Sequence, residues 1–594
     1  AVLPAQSPGA PDGATDPGSA IGSGPQASPT ADPAATVSRP GPDAAPAGSS
    51  AGAPDPVARA VLAADLPLTP APAPGAAAPL AQAPSNAFEL GGFTIWGVDG
   101  DAVTASDFAY DEAAKTLTVN TDKHFALQTD DQTIVGKTPS EDNAAGVHAK
   151  PNTTSLVIPA GQTANITLAG VGVRADNPFE ISKGATCNLV LADQSYNSFA
   201  STGNVRAGIH NPTGATLTID DSIPNKDASG NPVVPVDGLV PADLTLANGM
   251  KVKKGDPLSS MDSKNPGVLY ALAGVTGDGN GAGIGGESDR IGGDHGEAGG
   301  SFTMYGGIVT ARGSANKASP STHCGAGIGG GGWSGDGTGS SEWITINGGR
   351  LSAIAGYHGA GIGSGNAGAT GNIRINGGYV ISKGGDHGSG FGAACQPANS
   401  SAFKIVLTGG TLIPSTVSPP LINCGDIGAP GADITITGGS IGNGRKPGDF
   451  SFVGSAHNAQ GEPIEMIQVD LTSDVGENTY KLTDWQLLVD GEPFDYGAPA
   501  EFDKGHLYLW LPQTVKQNSE VTVNFTYLDT NKLDENGNPT PVTPLPLFRP
   551  PDSQMPPDAP DDGKLRRYAD FTLDDDYLAS LNKYYDGKGA PLFT

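Results

Sequence analysis

Positive charge is scarce in this chain. Its 594 residues include 33 Lys and Arg against 62 Asp and Glu, a formal net charge of −29. Nucleic acid and anionic membrane both need a basic footprint on the protein, so neither is expected as a partner. Cysteine is scarce too. Cys187, Cys324, Cys395 and Cys424 match neither a zinc knuckle nor a CxxC redox pair. The length excludes a small disulfide-stapled scaffold. A disulfide among Cys324, Cys395 and Cys424, if their segments stack, and buried free thiols both stay open. No uninterrupted apolar run of about 20 residues exists, so membrane insertion is not expected. No secretory leader is present; the ends read as those of a trimmed piece of a longer surface protein.

What is abundant is glycine, at 87 residues, and proline, at 50, while only 16% of residues are charged. Such a chain is poor in helix formers and rich in turns. Residues 1–85 are almost wholly Ala, Pro, Gly, Ser, Asp and Thr. That composition cannot bury enough apolar surface to offset its ordering entropy, and it reads as a disordered N-terminal arm. From Phe88 the pattern alternates, as in Phe93-Thr94-Ile95-Trp96, Thr116-Leu117-Thr118-Val119 and Ala215-Thr216-Leu217-Thr218-Ile219. Short alternating runs bounded by Gly, Asn, Asp or Pro are strands and turns.

Clear repeats follow. A Gly-Ala-Gly-Ile-Gly turn begins at Gly281, Gly325 and Gly359, with the variant Gly388-Ser389-Gly390-Phe391-Gly392. Between the turns lie strands ending in a glycine pair, at Gly306, Gly348, Gly377, Gly409 and Gly438. Successive pairs are 42, 29, 32 and 29 positions apart, one repeat each. Each repeat has one apolar face that only stacking can bury, and Ile284, Ile328, Ile362 and Phe391 are expected to form one internal ladder. The expected fold is all-β: a right-handed parallel β-helix over 86–460, its hand set by the general rule for parallel crossovers. A small antiparallel β module over 461–548 follows it. A Pro- and Asp-rich tail over 549–594 contains one helical candidate at 574–584.

One turn breaks the rule. It reads Cys424-Gly425-Asp426-Ile427-Gly428, with a carboxylate where the others carry Ala, Ser or Gly. Aligned on Cys324-Gly325, Asp426 replaces Ala326; aligned on the Ile-Gly pair, it replaces Gly327. Seven positions on is Asp433, beyond the Ala429-Pro430-Gly431 turn. Two carboxylates about 5–5.5 Å apart suit a retaining glycosidase, and about 6.5–9.5 Å an inverting one. Asp is also an ordinary turn residue that caps backbone donors.

His323, His358 and His387 collect near the same corner, as a sugar-binding wall or as structural residues; no third ligand recurs at zinc spacing. Asp386, Gln396, Asn423 and the pair Arg445-Lys446 are candidates for hydrogen bonds to sugar hydroxyls. Trp333, in the Gly-rich stretch 329–337, is a candidate for stacking on a sugar face, whereas Trp343 reads as packing. The acidic group Asp278, Glu287, Asp289, Asp294 and Glu297 is either a structural Ca²⁺ site or a solvated acidic face.

Together, the Gly-Ala-Gly-Ile-Gly repeats, the Cys-Gly-Asp-Ile-Gly turn and the Asp-x6-Asp pair resemble lacto-N-biosidases of glycoside hydrolase family 136. The likeness covers about 88–460 and the module beyond. It implies a right-handed β-helix enzyme of gut bacteria that releases lacto-N-biose (Gal-β1,3-GlcNAc) from lacto-N-tetraose of human milk, with retention. It also implies Asp426 as acid/base and Asp433 as nucleophile, in a secreted or cell-wall-held monomer. Members of the family use calcium or magnesium and a dedicated folding helper protein. Some carry a helical domain before the β-helix; here only the low-complexity arm stands there. Two other readings share the scaffold. A polysaccharide lyase would need Lys404, Arg445 or Lys446 as base, against an acidic chain that repels uronates. A non-catalytic adhesin would bind glycan without turnover.

Overall fold

The computed structural model describes residues 61–62 and 83–565, apart from 130–133, 136–146, 223–226, 230–232, 234–241, 246–250, 254–265, 275–279, 289–295, 315–323, 333–341, 367–370, 386–387, 395–402, 416–424, 442–451, 471–479, 495–500, 504–505, 544–545 and 555–563. The described residues belong to one compact unit, 56–594. They are overwhelmingly strand, and the strands stack in long parallel ladders.

Each repeat contributes one strand to each of three ladders, in the same order. The first ladder takes the two-residue Ile-Gly strands: Ile209–His210, Ile284–Gly285, Ile328–Gly329, Ile362–Gly363 and Phe391–Gly392. The second takes Thr216–Asp221, Ser301–Met304, Trp343–Ile346, Asn372–Ile375 and Phe403–Leu407. The third takes Val268–Leu272, Ile308–Arg312, Arg350–Ile354, Tyr379–Lys383 and Thr411–Ser415. Every one of these pairings is parallel. Strand Ile427–Ile436 serves two ladders at once: Ile427 pairs with Phe391, and 432–436 pair with Phe403–Leu407.

The alternation seen in the sequence is the reason. In Trp343–Ile346 and Asn372–Ile375 the isoleucines are buried while Trp343, Thr345, Asn372 and Arg374 face outward. Like stacks on like: Ile209, Ile284, Ile328, Ile362, Phe391 and Ile427 form the internal column expected of the first ladder, extended by one residue at each end. All are at most 1% exposed, so each contributes about 2–3 kcal/mol of apolar burial. At the second-to-third corner the latter Gly of each pair turns left-handed, with φ between 76° and 86° from Gly307 to Gly439. Beside that corner Asn376 donates to Asn347 Oδ1 at 2.8 Å, and Thr408 donates to Asn376 Oδ1 at 2.8 Å, so buried polar groups are satisfied within their own column.

Both ends of the stack are closed by antiparallel strands. Phe93–Gly97 runs antiparallel to His124–Gln128, the first strand of the second ladder, and Phe108–Asp111 runs antiparallel to Thr116–Val119. The start of the 86–460 region is therefore a cap rather than a repeat. An antiparallel partner ends a parallel stack because it occupies the open hydrogen-bonding edge. At the other end Ile464–Asp470 pairs antiparallel with His506–Pro512, and Ile464, Met466 and Trp510 join the main core. The Trp510 indole N–H donates to the Gly439 carbonyl at 3.2 Å. Tyr480–Val489, Val521–Leu533, Pro539–Val542 and Leu547–Arg549 form a further antiparallel sheet.

Two segments differ from expectation. Val61–Leu62, inside the arm read as disordered, pairs with Glu501–Phe502, and Lys564–Leu565 in the tail pairs with Gln468-Val469. Each is an adjacent pair that includes a leucine, within a polar or small-residue stretch, laid on an otherwise open sheet edge. The rest of the arm through 82 and the helical candidate at 574–584 lie outside the described residues. Cys187 is a buried free thiol and Cys324 is buried; Cys395 and Cys424 lie outside the described residues.

Candidate functional site

The register settles which alignment of the irregular turn holds. Ile284, Ile328 and Ile362 donate their amides to the carbonyls of Gly327, Gly361 and Gly390 at 3.1, 3.0 and 2.9 Å. Phe391 donates to the Asp426 carbonyl at 3.0 Å. Asp426 therefore stands where the other repeats have the glycine before Ile-Gly. A side chain there is normally forbidden: a Cβ on Gly327 would lie 2.6 Å from the Gly361 oxygen and the Ile354 nitrogen. Asp426 is the last such position in the column, and the third ladder at that level is described at Ser440–Ile441. It is 8% exposed.

Asp433 has a different setting. Gly428 and Gly431, with φ of 90° and 85°, turn the chain from the first ladder into the second. Four residues separate Gly428 from Asp433 where one separates their partners Val453 and Ser455, so the corner bulges. Beyond it the side chain points outward between buried Ala432 and Ile434 and is 47% exposed. Its Oδ1 accepts from His457 Nε2, and His457 Nδ1 donates to the Asn458 carbonyl at 2.8 Å. That carbonyl, and then Asp433, raise the His457 pKa above the ordinary imidazole value. Among the described residues Asp433 has no other hydrogen bond outside its strand ladder. The two aspartates thus flank one short corner, one buried and one presented.

His457 was not singled out in the sequence. It stands in no repeat, and only the register of Phe452–His457 against Ile427–Ile436 brings it to Asp433. Of the histidine group, His358 is half-buried and rests against Tyr357, ring centroids 4.4 Å apart, two repeats from Asp426. His323, Trp333, Asp386, His387, Gln396, Asn423, Arg445 and Lys446 lie outside the described residues. Trp343, read as packing, is on the outward face of the second ladder, and the Arg374 guanidinium lies 4.1 Å over its ring. A small cleft at the first-to-second corner, lined mainly by Gly299, Gly300, Gly329, Gly330, Gly363 and Gly371 with Glu342, admits little more than a water.

The two described members of the acidic group, Glu287 and Glu297, are in ion pairs. Glu287 is buried, binds Arg206 Nη1 at 2.5 Å and accepts from the Ala207 amide at 3.1 Å. His210 donates to Glu180 at 2.5 Å and to Glu297 at 2.7 Å. Burial works against the His210 charge, but the Glu180 and Glu297 hydrogen bonds and the Glu287 charge outweigh it and push its pKa up to about 10. Glu287 and Glu297 are thus engaged with cations of the chain itself. Asp278, Asp289 and Asp294 lie outside the described residues. Among the described residues no group of three or more His, Cys, Asp or Glu is placed to hold a metal ion. No described helix is long and apolar enough to cross a membrane.

Comparison with protein-family models, with curated proteins and with solved structures finds no match.

Proposed function

We propose that the chain is a secreted or cell-wall-held glycoside hydrolase on a right-handed parallel β-helix, a retaining lacto-N-biosidase that works as a monomer at the Asp426–Asp433 corner. The observation that carries the reading is Asp433. It is a half-exposed carboxyl group on a strand, with one oxygen anchored by the His457 ring and the other unspent among the described residues. That is what a nucleophile needs: fixed orientation with one oxygen left to attack. In the proposed cycle Asp433 attacks the anomeric carbon while Asp426 protonates the departing glycosidic oxygen. Asp426 then takes a proton from the water that releases the sugar, restoring both carboxyls. The net result is retention.

The test is hydrolysis of lacto-N-tetraose by wild type, Asp426→Asn and Asp433→Asn, with the anomer of the first product read by NMR. Loss of at least 100-fold in each variant and a retained anomer are expected. Full activity in either variant, or an inverted product, overturns the assignment.

The adhesin reading draws on a specific observation as well: at 8% exposure Asp426 offers little surface to a substrate. That reading predicts oligosaccharide binding without turnover, unaltered by either Asn substitution.

A further inference from the structure

Cations are outnumbered almost two to one in this chain, so an unpaired pair of them on one face calls for a reason. The outward face of the second ladder holds such a pair. Asn372 and Arg374 alternate with buried isoleucines on one strand, and Lys404 projects from the next. Lys404 pairs in the ladder with Asp433, and its backbone amide donates to Asn372 Oδ1 at 3.0 Å. The Arg374 guanidinium lies over Trp343, 4.1 Å from the ring centroid. Among the described residues neither cation meets a carboxylate. The neighbouring acids are engaged elsewhere: Asp433 with His457, and Glu342 with Ser301 Oγ at 3.0 Å and the Gly214 amide at 2.6 Å.

We infer that Arg374 and Lys404, with Trp343 holding the guanidinium in place, form a subsite for an anionic substituent on a glycan, a carboxylate or a sulfate. Guanidinium donors match the planar, paired oxygens of either group, and stacking on an indole reduces the entropy lost when they are engaged. The ladder supplies the ruler. From Asp433 through Lys404 and Asn372 to Trp343 is three strand steps, ~14 Å at the strand spacing, the reach of a short oligosaccharide laid across the strands. The subsite rests on the reading of this face as glycan-binding and not on turnover. It adds an acidic substituent to a substrate otherwise taken as neutral.

The test is calorimetric binding at low salt, with the full chain carrying Asp433→Asn so that no ligand is consumed. The probes are lacto-N-tetraose and its sialylated and sulfated derivatives. Tighter binding of at least one acidic probe, by about tenfold, is expected. Arg374→Gln with Lys404→Gln should abolish that preference while leaving affinity for the neutral probe unchanged. The two acidic probes separate a carboxylate site from a sulfate site. Equal affinity for neutral and acidic probes, or a preference that survives the double substitution, overturns the subsite. A preference abolished by the double substitution, in a wild-type chain that fails to hydrolyse any probe, would leave the subsite standing and remove the hydrolase reading.

Discussion

At the scale of single residues, the glycines of the Ile-Gly strands have a physical cause that composition alone does not reveal. Gly285, Gly329, Gly363 and Gly392 adopt φ between 131° and 138°, a region that L side chains rarely enter. A Cβ on Gly363 would also overlap the carbonyl oxygen of Gly392 in the next repeat. Gly491 has φ of 83° with nothing within 4 Å of an added Cβ. Gly363→Ala is therefore expected to lose at least ~3 kcal/mol and Gly491→Ala only ~1 kcal/mol, read from urea midpoints. Equal losses would mean that the close approach of the repeats is not what selects glycine. The same crowding explains why Asp426 stands out: it occupies a site that the preceding repeats fill with glycine.

Elements are joined across long sequence distances by the His210 network. Glu180 and His210 are ladder neighbours, while Glu297 comes from the following repeat and Glu287 and Arg206 close the group from the side. His210 carries a folded pKa of about 10 against an ordinary 6.5. A raised folded value means that the stabilisation is fully present below about pH 6.5 and is lost as pH rises through about 10. Wild type should therefore lose stability between neutral pH and pH 10.5 by on the order of a few kcal/mol more than His210→Gln. Denaturation of both at pH 7 and 10.5 checks this, since lysines and tyrosines titrate in both and cancel. Parallel pH profiles would show that the imidazole is neutral in the fold. No sequence pattern announced this network, because its members are spread from residue 180 to residue 297 and belong to different repeats.

On the scale of the whole molecule, a stack of parallel strands has two open edges, and each invites another chain to pair. The N-terminal edge is closed by Phe93–Gly97 and the C-terminal one by the sheet around Ile464, Met466 and Trp510. Phe452 meets Trp510 edge-on, centroids 6.1 Å apart. Deleting 461–594 is expected to uncover the apolar end of the core that Ile464, Met466 and Trp510 cover, and to shift the chain to larger species on size-exclusion chromatography. A monomeric, equally heat-stable truncation would show that the module is an independent domain rather than a lid on the core.

Repeat length, strand alternation and the internal Ile/Phe column follow from the sequence by itself, because each repeat carries the same apolar spacing and can bury it only against a copy of itself. The odd turn at Asp426 was visible for the same reason, as a departure from a periodic rule. What only the tertiary structure decided was register and facing. It aligned Asp426 with the glycines rather than with Ala326, turned Trp343 outward under Arg374, and brought His457 to Asp433. These depend on which strand lies beside which, and on a corner bulge between Gly428 and Asp433 that shifts the pairing. Side chains on a strand alternate with period two, so one residue of shift exchanges the inner and outer faces.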